Sequence, residues 1–514
     1  MMPSRRELIR MAAASSASLA TASWLGGCAD ASLTEGGEIR FGLTSRPRML
    51  DPRKATDALS SRINRLLYQP LVDFNEAFEA VPALAEWQLI TPTHYRFTLT
   101  QTPVFHNGDR LSADDVAATY ESVLNPDFGS PHRGSLKNIQ TIEVVDNRVV
   151  DFRLAQPDAL FAGRLVIGIL PKALIKAGHL FQSQPVGSGP CRFVSMTEQK
   201  LVLRRPDQVR LVFLPVKDAT VRVLKLRNGE LDIVQNDLSP ELVEYCQQRD
   251  DLEVMWQWGT SFGYIGFNFD DPLLSQLPVR QALAFGIDRQ AIIDSVFNGH
   301  ARLAGGLLVP EHWCGVSGLH GFDYRPDHAR ALVEAVKQKH PGLVNSEGML
   351  EFSYKTSSDP TRIRLATIYQ SQLRQVGIHL KVQSYDWGTF YNDIKQGRFQ
   401  LYSLAWVGVK SPDIFQYVFD SDAIPPKGAN RGRYRDAEAD RLIREAGETQ
   451  SLQKQAALYR ALQVHLQETL AVVPLWYEDQ YAILRKGILG YQLYADGRFD
   501  GLLNVTRATG TDAN

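Results

Sequence analysis

Hydrophobic and polar positions along the chain switch repeatedly between a period of two and a period near 3.6, which predicts strands and helices in turn. From His94 to Leu99, the side chains of Tyr95, Phe97 and Leu99 fall on one side of an extended segment, as in a half-buried strand. Asn107-Gly108 follows as a tight turn. Ser112, three residues before Asp115, stands as the cap of a helix whose apolar pattern starts at Val116. The clearest unit spans 359–387. Asp359 caps a helix, and Pro360 fits its first position, where no backbone N–H is needed. Leu365, Ile368, Tyr369, Gln372, Leu373 and Val376 share one face, and Gly377 closes the helix. Ile378, Leu380 and Val382 then alternate as a strand, giving half of a βαβ crossover. A comparable helix is predicted over 277–297, ended by Asn298-Gly299, with Arg280 and Asp288 as structural ion-pairing groups along it. This alternation continues without repeats or low-complexity tracts, so the fold class is mixed α/β.

The first 30 residues break the pattern. Ser4-Arg5-Arg6-Glu7-Leu8-Ile9-Arg10 is followed by a small-residue apolar run from Met11 to Leu25 and then by Gly26-Gly27-Cys28. A basic start, a short apolar run and a small-residue end are the parts of an export signal. The run is too short and too rich in Ser, Ala and Thr for a spanning helix, which needs about 20 apolar residues. Arg5-Arg6 with Leu8-Ile9-Arg10 resembles a twin-arginine signal, against an ordinary Sec signal that happens to carry two arginines. Leu25-Gly26-Gly27-Cys28 resembles a bacterial lipobox, which makes Cys28 the expected lipidation site and residues 1–27 the expected signal peptide. Residues 28–35 read as a tether.

Composition adds mainly exclusions. The 514 residues are 44% hydrophobic and 22% charged, with 56 Lys+Arg against 57 Asp+Glu. Such a chain has room for about three domains and no electrostatic pull towards nucleic acid. Loss of residues 1–27 removes three arginines and one glutamate, moving the net charge from −1 to −3. Cys191, Cys246 and Cys314 remain, an odd and widely spaced set that reads as buried thiols rather than a disulfide framework. Metalloprotease, redox, nucleophile-elbow and phosphate-loop motifs are absent, and the eleven histidines form no ligand pairs. Catalysis, cofactors and metal are therefore not expected.

A set of local patterns in fixed order carries more information. Arg48-Met49-Leu50-Asp51-Pro52 and Leu67-Tyr68-Gln69-Pro70-Leu71-Val72 come first, then Val104-Phe105-His106-Asn107-Gly108-Asp109 leading to Leu111-Ser112-Ala113-Asp114-Asp115-Val116. Val186-Gly187-Ser188-Gly189-Pro190-Cys191-Arg192-Phe193 and Val279-Arg280-Gln281-Ala282-Leu283 with Ile287-Asp288-Arg289 follow. Asn430-Arg431-Gly432-Arg433-Tyr434 and Val473-Pro474-Leu475-Trp476 complete the series. This order resembles the family-5 extracellular solute-binding proteins, the dipeptide, oligopeptide and nickel receptors of ABC importers.

The resemblance implies a two-lobed periplasmic-binding-protein-like fold (type II, cluster C) with an extra small domain. Lobe I is expected over 36–72, 186–265 and 475–514, the extra domain over 73–185, and lobe II over 266–474. It further implies an exported, membrane-anchored monomer at the periplasmic face that binds a peptide or small-molecule ligand and partners an ABC permease and ATPase complex. A receptor that senses solute without transport, or a secreted enzyme on a related scaffold, are the alternatives.

Peptide receptors of this family place a Trp and, three residues later, an Asp that pairs with the peptide ammonium group. Here Trp406 matches, Gly408 lies in the same loop, and Val409 stands at the Asp position. A buried ammonium needs a carboxylate, so Asp413 is weighed as an offset substitute. Trp406 is read as a stacking platform or a core residue, and Lys410 as an anion contact or a solvated loop residue. Lys355 lies near where some members carry a carboxylate-binding base. Tyr264 and Asn268, in Phe262-Gly263-Tyr264-Ile265-Gly266-Phe267-Asn268, are read as cleft-lining or packing residues.

Overall fold

A computed structural model describes residues 37–508. The expected export signal, the expected lipidation site Cys28 and the expected 28–35 tether lie outside the described residues. An eleven-stranded sheet runs through the molecule in the order Ile378–Tyr385, Leu350–Ser357, Leu401–Trp406, Leu252–Phe267, Val472–Arg485, Ile233–Gln235, Glu38–Leu43, Arg210–Pro215, Leu201–Arg204 and Arg192–Met196, with Ala301–Leu303 paired beside Val472–Arg485. Two of these strands are unusually long: Leu252–Phe267 has 16 residues and Val472–Arg485 has 14. They pair antiparallel along most of their length and pass from one end of the sheet to the other. Their register breaks between Gln257 and Ser261, opposite Gln480 and Glu478. Such a bulge bends and twists a ladder locally.

Hydrophobic cores lie on either side of that break. At one end, Phe41, Leu66, Phe213, Leu484 and Phe499 pack together. At the other, Phe267, Leu283, Phe352, Tyr369, Leu380 and Trp476 form a second core, extended by a third around Phe390, Phe415 and Tyr459. These cores define two lobes, a first around Phe41 and Phe213 and a second around Phe352 and Phe415. A separate four-stranded sheet, in the order Ala85–Thr91, His94–Leu99, Val149–Leu154 and Ile139–Val144, has its own core from Leu71 to Ile169. Leu170 and Phe181 already pack in the first-lobe core.

Local chemistry explains these elements. The helix Ala113–Leu124 starts where Asp115 accepts the Ser112 backbone N–H at 2.8 Å, and Gly108 turns with φ +100°. Asp359 accepts the Arg362 N–H at 3.0 Å, the helix runs Pro360–Arg374, and Gly377 has φ +84° before the strand begins at Ile378. The predicted helix over 277–297 is instead two helices, Leu277–Phe285 and Arg289–Val296. Asp288 caps the second through the Ala291 N–H, so it is not an ion-pairing group. Arg280 likewise pairs with no acid among the described residues; its guanidinium donates to the carbonyls of Leu274, Thr469 and Leu470. The Gly187-Ser188-Gly189-Pro190 turn packs on the end of the helix Ala58–Leu67, with the Gly189 N–H donating to the Leu67 carbonyl at 2.9 Å. A Cβ on Gly189 would stand 2.3 Å from the Leu67 carbonyl carbon, so the turn has no room for a side chain. Cys191, Cys246 and Cys314 are free and buried.

Candidate functional site

In open α/β sheets, ligands bind beyond the carboxyl ends of the parallel strands. In the first lobe, Glu38–Leu43, Arg210–Pro215 and Ile233–Gln235 run parallel and deliver the segments 44–48, 216–218 and 236–239. In the second, Leu350–Ser357, Ile378–Tyr385 and Leu401–Trp406 deliver 358–359, 386 and 407–413. Both sets end beside the register break in the crossing strands, so they face one another across a cleft. The helices Pro240–Gln247, Pro360–Arg374 and Trp387–Gln396 begin there, with Ser239, Asp359 and Asp386 at their N-caps.

The 407–413 loop reaches across this cleft. Lys410 Nζ lies 2.8 Å from Asp496 Oδ2, a contact between the lobes. Asp413 pairs with Arg164 of the inserted domain at 2.5 Å. Neutral His312, whose pKa burial pulls down to about 4, donates from Nε2 to the Lys410 carbonyl at 3.1 Å and stacks on Phe78 with ring centroids 5.3 Å apart. Lys410 is thus neither a solvated loop lysine nor an open anion site, and the Asp413 carboxylate is already matched.

The other expected residues separate into packed and cleft-facing groups. Lys355 Nζ sits 2.6 Å from Asp393, and with Arg398 it holds the Asp393 carboxyl below the usual range. Asn268 donates to the carbonyls of Phe399 and Gly397 at 2.9 and 3.3 Å, at the far end of its strand from the register break. Tyr264 is buried, with the Tyr402 ring across it at 5.9 Å. Trp406 is half-buried at the carboxyl end of its strand, edge-on to the exposed Tyr417. Gly408 has φ +69° with open space where a Cβ would point, and the half-buried Val409 packs against the second-lobe core.

Two groups escaped the sequence reading. Arg431 is 8% exposed, lies over the Trp406 ring at 4.7 Å and donates to the hydroxyls of Tyr264 and Tyr391, each at 3.2 Å. Its neighbourhood in Asn430-Arg431-Gly432-Arg433-Tyr434 was visible only as a family pattern. Beneath it lies a cavity of about 20 Å³, room for one water, lined by Tyr264, Tyr402, Trp406 and Arg431 among others. On the facing wall, Asp237 is exposed in the segment that follows Ile233–Gln235. Desolvation by the surrounding protein pushes its carboxyl up, and Asp359 and Glu478 add to the effect against Arg222 and Arg62. Arg362, in the first turn of the Pro360–Arg374 helix, pairs with Glu478 at 2.9 Å. The site therefore holds charges of both signs and an aromatic wall. No group of three or more metal-ligating side chains occurs among the described residues.

The family model described as bacterial extracellular solute-binding proteins, family 5 (middle), matches residues 79–427. The chain is 27% identical to a dipeptide-binding protein of Pseudomonas aeruginosa over 486 residues, covering 85% of this chain and 89% of that protein. The oligopeptide-binding protein AppA of Bacillus subtilis, solved with a nonapeptide, superposes with a TM-score of 0.78 at 22% identity over 92% of this chain and 99% of that one. NikZ of Campylobacter jejuni, solved with Ni(L-His), gives 0.78 at 23% identity over 91% and 99%. These relatives are solute-binding proteins and not enzymes. By this match and by its two-lobed sheet, the chain belongs to the family-5 bacterial extracellular solute-binding proteins.

Proposed function

We propose that this protein is a lipid-anchored receptor that captures a peptide or peptide-like solute between its lobes and delivers it to an ABC permease. The observation that carries the reading is the pair of crossing strands with facing loops from both lobes at their register break. Contacts made by both walls exist only when the lobes meet, so a ligand that touches both shifts the population to the closed form. The lipobox at Cys28 and the basic, apolar start support export and anchoring. The ligand names printed for the relatives, a dipeptide, a nonapeptide and a nickel–histidine complex, support a solute with amino-acid character.

Free peptide amino termini are not read at position 409, where Val409 offers no carboxylate. Recognition rests instead on side chains elsewhere in the cleft. Native mass spectrometry of protein isolated from its own cells tests this proposal. A retained peptide-like mass, released intact on unfolding, is the expected result. Chemical conversion of the bound solute by the purified protein would overturn it. Deletion of the receptor should also abolish uptake of that solute; unchanged uptake would separate binding from transport.

A further inference from the structure

We propose that Arg431 is the anchor for a carboxylate of the bound solute, deep in the second-lobe wall. This inference rests on the solute-binding reading but not on the solute being a peptide.

Three observations carry it. First, Arg431 is almost wholly buried, yet no carboxylate forms an ion pair with it among the described residues; its guanidinium donates only to the hydroxyls of Tyr264 and Tyr391. A guanidinium has five N–H donors in a planar fork that matches a carboxylate. Other buried arginines here spend that fork on backbone: Arg280 on three carbonyls, and Arg289 on those of Ala304, Pro474, His320 and Phe322. Arg431 is tied to no backbone carbonyl in this way.

Second, its surroundings favour a flat anion. The guanidinium lies 4.7 Å over Trp406 and 5.4 Å over Tyr391, and it lines the cavity with Tyr264 and Tyr402. Aromatic faces hold the cation without neutralising it, which leaves its charge available. A buried charge without a counter-ion is costly, and a carboxylate brought by the solute removes that cost. Asp393, the one acid in the helix that carries Tyr391, is already bound by Lys355 and Arg398.

Third, the group stands where a ligand arrives. Trp406 ends a strand at the cleft, and Tyr391 lies one turn into a helix that starts there. Trp387, at that helix start, is exposed and stacks on Tyr391 with ring centroids 5.4 Å apart. Lys355, another base of this lobe, is occupied by Asp393 and is not available to a solute carboxylate in this way.

Intrinsic tryptophan fluorescence and calorimetry with two probe pairs test this assignment. One pair is 3-phenylpropionate and its amide; the other is a casein digest before and after methyl esterification of its carboxyl groups. The native protein should prefer the acid in each pair that binds. Arg431→Gln should weaken the acid by a factor on the order of ten to a hundred and leave the uncharged partner unchanged, as befits a charge-assisted hydrogen bond. Tyr391→Phe, which removes one hydroxyl and keeps the ring, should weaken it several-fold and guards against an Arg431 variant that fails to fold. Binding of 3-phenylpropionate through Arg431 without binding of the digest would uphold the anchor and reject the peptide reading. Equal binding of the digest and its ester would reject the anchor and leave the peptide reading standing. Failure to bind either acid would overturn both.

Discussion

Lys410 and Asp496, one from each lobe, form an ion pair at 2.8 Å with side chains only 19% and 7% exposed. Burial works against the Asp496 carboxylate, but Lys410 and Arg498 outweigh it and hold its pKa at about 2. An aspartate depressed in this way contributes stability that is complete above the ordinary value near 3.9 and is lost as pH falls towards 2. The contact between the lobes should therefore be steady across neutral pH and weaken between about pH 4 and pH 2. Lys410→Met should favour separation of the lobes by on the order of 2 kcal/mol, since it leaves a buried carboxylate with only Arg498, through its backbone N–H at 3.2 Å and its guanidinium at 3.5 Å. Small-angle scattering should report a larger radius of gyration for the variant, and identical profiles would count against the contact holding the lobes together.

Val409→Asp restores a carboxylate where peptide receptors of the family have one. Preference for a dipeptide over its N-acetylated form should rise about tenfold, the effect of one charge-assisted hydrogen bond. Titration calorimetry of both ligands measures it. An unchanged ratio would remove this loop from the ammonium-facing wall.

Gly259 lies in the break between the crossing strands, where a Cβ would sit 1.9 Å from the Glu478 carbonyl oxygen. Gly259→Ala must push the two strands apart. Overpacking of this kind costs about 1–3 kcal/mol, read as a lower midpoint in urea denaturation. A midpoint equal to that of the native protein would mean that the strands yield freely at this point.

Cys28→Ala should move the protein from the membrane fraction to the soluble envelope fraction, because acyl chains supply the anchoring energy at about 0.8 kcal/mol per buried methylene. Fractionation followed by immunoblotting decides it, and continued membrane association would reject lipidation at this residue.

What the sequence made legible was what short-range chemistry controls. The Pro360–Arg374 helix could be read because its cap, its proline and its closing glycine lie within the element or beside it. Apolar spacing continues across Gly286 and predicts one helix over 277–297, because the Asp288 cap that restarts the helix looks the same in sequence as a pairing charge. Trp406 stood out by its motif. The partners that occupy Lys355 and Asp413 could not be read, since Asp393 and Arg164 lie 38 and 249 residues away and only the tertiary fold brings them close. Arg431 escaped for the same reason: its isolation from carboxylates is a property of space and leaves no trace in local spacing.

The two crossing strands also bear on how the molecule comes apart. Val472–Arg485 gives buried side chains to both cores, Trp476 to one and Ala482 and Leu484 to the other, while Leu252–Phe267 gives Ile265 and Phe267 to the one and packs the partly buried Met255 against the other. Melting either lobe strips the shared ladder from its neighbour, so the lobes should unfold as a single cooperative unit and give one calorimetric transition. The inserted sheet, with a core of its own from Leu71 to Ile169, is the part free to melt separately.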